Sequence, residues 1–290
     1  MQTRMLKTFA RIAQIGSFAQ TAEHLNMTLS AVSMQMKTLE EELGVSLFDR
    51  SFRPPQLTPV GRAVAQSATN LLSAEEQLVR VCHPGDKLVG HFRIGLVTTA
   101  SVRLIPNFLK NAASLAPVAT FSLETGLSEA LERKVLSGQL EAAIVTASNN
   151  ADAQLHYDIL YDEPLVFAIP AQMKQVPFDT LVADTTFLQF MPNTGIGKLI
   201  SNEMYKLRAG KQNPAVVLNN VETIVECVKS GVGFTLLPKP DIERYADETV
   251  HIECPKAICL SRKLVLATAH GSFTHHQTKE LKSCLIPTIR

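Results

Sequence analysis

Residues 17–50, SFAQTAEHLNMTLSAVSMQMKTLEEELGVSLFDR, followed by LTPVG at 57–61, decide the architecture of the first part of the chain. Ser17 and Gln20 have capping-box spacing, in which the serine accepts at a helix start and the glutamine reaches back. Gly16 suits the end of a preceding helix whose apolar stripe is Leu6, Phe9, Ile12 and Ala13. Phe18, Ala22 and Leu25 give a second helix its buried face, and Asn26-Met27 makes the turn. Thr28 is a good N-cap for a third helix. There Val32, Met36, Leu39 and Leu43 recur at helical spacing as one buried face, and Gly44 stops the helix. Pro54-Pro55 remove two backbone donors, so the hairpin that follows should be loose rather than a long ladder. This order is a winged helix-turn-helix, a module that places a helix in the DNA major groove.

The reading face is expected at the start and outer side of the third helix. Candidate DNA contacts are Ser17, Thr28, Leu29, Ser30, Ser33, Met34, Gln35 and Lys37. Arg50 and Arg53 flank the wing tip and are candidates for phosphate or minor-groove contacts. Charge supports this only modestly, because the whole chain carries a formal +1. Such a surface can still hold phosphates if its cations share one face, and a dimer doubles the count.

A long helix should follow the wing. Thr58 caps it, Pro59 takes its first position, and helical composition runs to about Cys82, ended by His83-Pro84-Gly85. Val60, Val64, Ser67, Leu71, Ala74, Leu78 and Val81 alternate spacings of four and three, a heptad seam. At ~1.5 Å per residue the helix would be roughly 36 Å long, longer than a small head can cover. Pairing with a second copy through Val64, Leu71 and Leu78 is therefore expected.

The remainder alternates Val/Ile/Phe-rich segments with helical ones, the texture of an α/β domain with mainly parallel sheets. Expected strands are 92–97, 119–124, 142–146, 165–169, 187–191, 215–218, 233–237 and 263–267. Expected helices are 102–114, 128–137, 197–209, 221–230 and 274–285. Ligands of open α/β sheets sit beyond the C-terminal ends of strands, near helix N-termini. That rule selects Thr98, Thr99, Ser101, Thr125, Thr146 and Ser148, and further along Met191, Thr194, Gly195 and Thr223. Phe234, in the stretch leading to Leu237-Pro238, joins this set. Hydroxyls and free backbone N–H groups suit a carboxylate or other small anion. No Arg or Lys sits in these loops, so the expected ligand is a small organic acid or a polar metabolite with an apolar body.

Gly16-Ser17-Phe18, Thr21-Ala22, Leu25, Ala31-Val32-Ser33, Gln35, Lys37, Leu39-Glu40, Leu43-Gly44, Leu47-Phe48, Arg50, Leu57-Thr58 and Gly61 fall in one order and spacing. In this the chain resembles the LysR-type transcriptional regulators. Arg93-Ile94-Gly95, Gly138-Gln139-Leu140-Glu141-Ala142 and Val228–Phe234 extend the likeness into the second half. The resemblance implies an α+β multidomain chain: a winged helix-turn-helix DNA-binding domain at 1–58, a linker and dimerisation helix at 59–87, and an effector-binding domain at 88–290. The last would resemble the periplasmic-binding-protein fold, with one subdomain at 88–161 and 264–290 and the other at 162–263. It further implies a homodimer through the linker helix, a homotetramer, and double-stranded promoter DNA, a small-molecule effector and RNA polymerase as partners. Leu29 departs from the family's frequent Gln, Met34 from a common basic residue and Glu141 from the usual Asp. Leu29 suits a thymine methyl but cannot make a bidentate adenine contact.

Other classes are weaker. The five cysteines, Cys82, Cys227, Cys254, Cys259 and Cys284, form no CxxC pair and no metal spacing. Buried inert thiols are the better reading, with a redox-responsive regulator using Cys254 and Cys259 as an alternative. His275 and His276 are adjacent and do not share one helix face, so no metal is expected. No nucleophile elbow, P-loop or nucleotide fingerprint argues for catalysis or a cofactor. No apolar run approaches the ~20 residues of a membrane span, and no signal sequence opens the chain, so a cytoplasmic protein is expected. A solute-binding module would share the sensor fold but has no use for a DNA head.

Overall fold

Of the four helices at the start of the chain, the second, third and fourth begin at a side-chain cap, and the first and third end at a left-handed glycine. The computed structural model describes residues 2–82, 88–148, 151–207, 215–254, 260–273 and 275–286, and it divides near residue 85 into two units. The first holds α1 (Thr3–Ile15), α2 (Phe18–His24), α3 (Leu29–Leu43), β1 (Phe48–Asp49), β2 (Gln56–Leu57) and α4 (Pro59–Cys82). Gly16 closes α1 in the left-handed conformation, at φ 73°, and donates its N–H to Ile12 O. The Ser17 hydroxyl accepts from Gln20 N–H and that of Thr28 from Ala31 N–H. Thr58 Oγ1 accepts from Gly61 N–H at 2.8 Å and so starts α4.

These caps aim one face of each helix inward. Phe9, Val32, Met36, Leu39 and Leu47 are fully buried, and each such side chain contributes about 1.5–3 kcal/mol. The Phe48 ring lies edge-on to those of Phe9 and Phe18, with centroids 5.7 and 4.8 Å away. The wing pairs only Phe48 with Leu57 and Asp49 with Gln56, the short hairpin its prolines dictate. Gly61 is obligatory for this packing, because a Cβ there would lie 2.1 Å from Leu47 O.

The near half of α4 completes the same core through buried Ala68 and half-buried Val64 and Leu72. Lys7 pairs with Glu75 at 3.1 Å. Val64 therefore serves the head, whereas Leu71 and Leu78 stay 44% and 65% exposed. The expected helix stop at His83-Pro84-Gly85 lies outside the described residues.

The second unit runs β3 (Gly90–Val97), α5 (Thr98–Leu115), β4 (Ala119–Gly126), α6 (Ser128–Leu136), β5 (Ala142–Thr146) and β6 (Leu155–Pro170). After a short 3-10 turn come α7 (Phe178–Asp184), β7 (Phe187–Phe190), α8 (Gly195–Leu207), β8 (Ala215–Leu218), α9 (Val221–Lys229) and β9 (Thr235–Pro238). The unit ends with α10 (Lys239–Glu243), β10 (Val250–Glu253), β11 (Ser261–Ala269) and α11 (His275–Leu285). Two cores form inside it. One gathers Phe92, Ile94, Phe108, Ile144, Leu266 and Leu281. The other gathers Phe167, Phe187, Leu188, Ile200, Val228 and Phe234.

The sheets are mixed, which corrects the expectation of mainly parallel ones. β4, β3 and β5 are parallel, as are β7 and β8. β5–β11, β11–β6 and the pairings of β6 with β9 and β10 are antiparallel. The cause is β6, which runs from one core into the other. Its residues up to Pro164 pair with β11, and Leu165 onward pairs with β9, then β10. β11 carries the chain back, so the two crossing strands must oppose each other. The first half of β6, together with α7, α10 and β10, went unexpected. LHYDILYDEP alternates charge with apolar residues and ends in proline, which resembles a loop more than a buried strand.

Candidate DNA-binding face and effector cleft

The outer face of α3 carries its apolar residues in the open. Leu29 is 51% and Met34 68% exposed, while Val32 and Met36 are fully buried. Thr28 Oγ1 and Ser30 Oγ lie 3.0 Å apart at the start of the helix. Gln35 is half tied down, since its Oε1 accepts from Thr8 Oγ1 at 2.7 Å and leaves the amide NH₂ as its donor. Among the described residues Lys37 makes only a long contact with Glu41, 3.8 Å, and both side chains are exposed.

Glu40 joins this helix to the wing. Its Oε1 accepts from Leu47 and Phe48 N–H at 2.7 and 3.1 Å, and its Oε2 from Arg50 Nη2 at 2.9 Å. In the sequence Glu40 is one of three consecutive glutamates, and nothing in that run singles it out for this role. Arg50 is thus held by its partner, and Arg53 stands exposed in the wing.

In the second unit a cavity of about 200 Å³ opens where the two cores meet. Thr98, Thr99, Thr146, Met191, Thr194 and Gly195 line it, joined by Ser128, Phe190 and Asn219. The N-termini of α5, α6 and α8 all reach it, and no side chain caps α5. Thr194 Oγ1 accepts from Gly197 N–H at 3.0 Å to start α8. A Cβ on Gly197 would lie 2.0 Å from Met191 O, so only glycine permits that turn.

The other expected cleft residues lie elsewhere. Ser101 is buried and donates to Thr98 O at 2.8 Å within α5. Thr125, Ser148 and Thr223 are exposed outside the cavity. Phe234 is fully buried in the second core, its ring tilted against those of Phe167 and Phe187.

Charge reaches the cleft from below its loops. Arg262 on β11 is fully buried and donates through Nε to Glu163 Oε2 at 2.8 Å, with Nη2 on the same oxygen. Nη2 also reaches Asp241 Oδ1 at 3.2 Å, and Nη1 donates to Thr99 Oγ1 at 2.8 Å. Asp241 Oδ2 lies 2.9 Å from Nη1 but outside hydrogen-bond geometry. Arg103 holds the other oxygen of Glu163 and stacks its guanidinium 5.2 Å from the Tyr161 ring. Burial pushes the Asp241 carboxyl up to about 6, against the pull of Arg262. A smaller cavity of about 90 Å³ shares Thr98 and Thr99 and is bordered by Arg103, Asp241 and Arg244.

Residues 3–62 match the family described as "Bacterial regulatory helix-turn-helix protein, lysR family", and residues 85–288 the "LysR substrate binding domain". The chain belongs to the LysR family of transcriptional regulators. It is 29% identical over 251 residues to the HTH-type transcriptional regulator SoxR of an Arthrobacter species, covering 86% of this chain and 84% of that one. It is 30% identical over 240 residues to the HTH-type transcriptional regulator CzcR of Bacillus cereus, covering 82% and 81%. Among solved structures, a full-length OxyR variant from Pseudomonas aeruginosa aligns with TM-score 0.76 over 98% of this chain and 94% of that one, at 23% identity. Full-length CbnR complexed with its target DNA aligns with TM-score 0.67 over 98% and 99%, at 18% identity. These two likenesses speak to the fold.

This LysR-type chain is a DNA-binding transcriptional regulator with an effector-binding domain, from a family of regulators and not of enzymes. No helix among its described residues is long and apolar enough to cross a membrane.

Proposed function

We propose that this regulator responds to a small organic acid, or a polar metabolite with an apolar body, bound between the two lobes of its effector-binding unit. The observation that carries the reading is the cavity itself. Thr98, Thr99, Ser128, Thr146 and Thr194 line it where three helices begin, and Val97, Phe190 and Ile196 supply an apolar wall. Its size, about 200 Å³, lies below the ~300–1,000 Å³ usual for ligand sites and so selects a small molecule. The lobes correspond to residues 88–161 with 264–290, and 162–263.

On the DNA side, the face from Thr28 to Lys37 reads the major groove, with Ser17, Arg50 and Arg53 on the backbone. Leu29 and Met34 favour contacts with thymine methyl groups. Dimers pair through the exposed Leu71 and Leu78 of α4, with Val64 at the head end of the seam, and set two α3 helices on half-sites of an interrupted palindrome. Sensor units pair in turn to build a homotetramer in the cytoplasm, within reach of RNA polymerase. Closure on the ligand shifts the population between two arrangements of the bound DNA, which requires unequal affinity for the two.

Footprinting on DNA upstream of the gene, with and without candidate acids, tests the reading. Protection of two half-sites whose pattern changes with an acid is the expected result. Failure to protect any local promoter fragment at low salt would sink it. The redox alternative rests on Cys254, which is exposed, and on Cys259, which lies outside the described residues. Cys284 is no candidate, since burial pushes its thiol up to about 11.

A further inference from the structure

One cleft hydroxyl is biased towards donation by a residue beneath it. Thr99 lines the cavity and its Oγ1 accepts from Arg262 Nη1 at 2.8 Å. A guanidinium offers donors only, so the Thr99 hydrogen must point away from it. Among the described residues that hydrogen has no acceptor. Donation from a cation also draws electron density from the oxygen, which makes the hydroxyl a stronger donor and a poorer acceptor. Arg262 cannot swing aside, because Glu163 and Asp241 hold its Nε and Nη2, and Arg103 pins Glu163 in turn.

We propose that Arg262 is a positioning residue that biases Thr99 to donate into the cleft, so that the site selects ligands presenting a carboxylate or carbonyl oxygen there over those presenting ammonium heads. An ammonium, itself donor-only, would find just the remaining lone pair of an oxygen already accepting from a guanidinium, and would add a second cation near the first. The uncapped N-terminus of α5 beside Thr99 has the same preference. This inference rests on the cleft reading above and adds the polarity of one contact.

The test uses the full chain and probes matched in frame but not in head group: butyrate, butyramide, butan-1-ol and butylamine, with the benzoate, benzamide, benzyl alcohol and benzylamine series beside them. Binding is measured by calorimetry on the wild type, Thr99→Ser, Thr99→Val and Arg262→Lys. A carboxylate or amide should bind the wild type at least about tenfold more tightly than the amine of its frame, the worth of roughly one hydrogen bond. Thr99→Ser should keep that binding, and Thr99→Val should lose about tenfold for acids with no change for amines. Arg262→Lys, where circular dichroism shows it folded, should narrow the gap between acid and amine; where it does not fold, the Thr99 pair decides. Amines binding as tightly as acids, or acids indifferent to Thr99→Val, would overturn this inference alone. Absence of binding by every probe would overturn the cleft reading with it.

Discussion

Glu40 in the DNA-binding unit and Arg262 in the effector-binding unit perform the same task with opposite charges and opposite exposure. Each ties separate elements together, Glu40 over ten residues or fewer and Arg262 over as many as 163. Glu40 gathers the wing backbone and Arg50 onto α3, with 15% of its side chain open to water. Arg262 gathers β6, α10 and α5 with none of its side chain open. The difference teaches where charge is expendable. Water can replace a lost partner at the edge of the head, but nothing can do so inside the sensor.

The largest effect should follow from opening the buried cluster. Arg262→Met leaves Asp241 without a cationic partner and Glu163 with Arg103 alone, and should cost about 3–5 kcal/mol. Chemical denaturation followed by circular dichroism should place this loss in the effector-binding unit and leave the head's transition unchanged. Replacing Arg262, Glu163 and Asp241 together with apolar residues of similar volume should recover most of it, because the desolvation cost leaves with the charges.

A smaller effect concerns pH. The folded Asp241 carboxyl sits at about 6 against an ordinary 3.8, raised first by burial and then by Glu163, with Arg262 and Arg103 lowering it. Between those values the native state keeps a proton that the unfolded chain has released. Its contribution is therefore full below pH ~4, falls as pH rises towards ~6, and is gone above, by up to ~3 kcal/mol. Subtracting the stability profile of Asp241→Asn from that of the wild type should expose this falling slope. A difference that is flat or rises over the window would refute the assignment.

Glu40→Ala comes next. It strips two backbone N–H groups of their acceptor and frees Arg50, for about 1–3 kcal/mol of head stability and weaker DNA binding in a gel-shift titration. Because Glu40 borders water, the loss should stay below that of Arg262→Met; equality would erase the contrast. Smallest of all should be Lys198→Ala, which breaks an exposed 3.1 Å pair with Glu129. It should change stability, read from thermal melting, by no more than ~1 kcal/mol.

How much of this was legible in the sequence follows the same division. The head is written in local chemistry: Ser17, Thr28, Gly44 and Thr58-Pro59 act within a turn of their own positions, so spacing alone located every helix there. In the sensor, loops at strand ends could be read because a strand's end dictates where the next helix starts. Thr98, Thr99, Thr146, Met191, Thr194 and Gly195 do meet at one cavity. Ser101 and Phe234 failed because neighbouring packing, not loop position, decides whether a side chain faces the cavity. Glu163 and Arg262 were out of reach, since they pair across adjacent strands nearly a hundred residues apart. Their one signal was a charge in the middle of β6 and another at the start of β11, where an exposed edge would have explained each as well.

The most direct measurement is footprinting of the upstream promoter region by the full chain, with and without the acid that binds most tightly, in wild type and Thr99→Val side by side. Two protected half-sites an integral number of helical turns apart are expected in both proteins. A ligand-dependent change of the pattern is expected in the wild type, and Thr99→Val should need about tenfold more acid to match it. Protection without sequence preference, or a ligand response identical in the two proteins, would contradict a regulator whose cleft hydroxyl reads an acid.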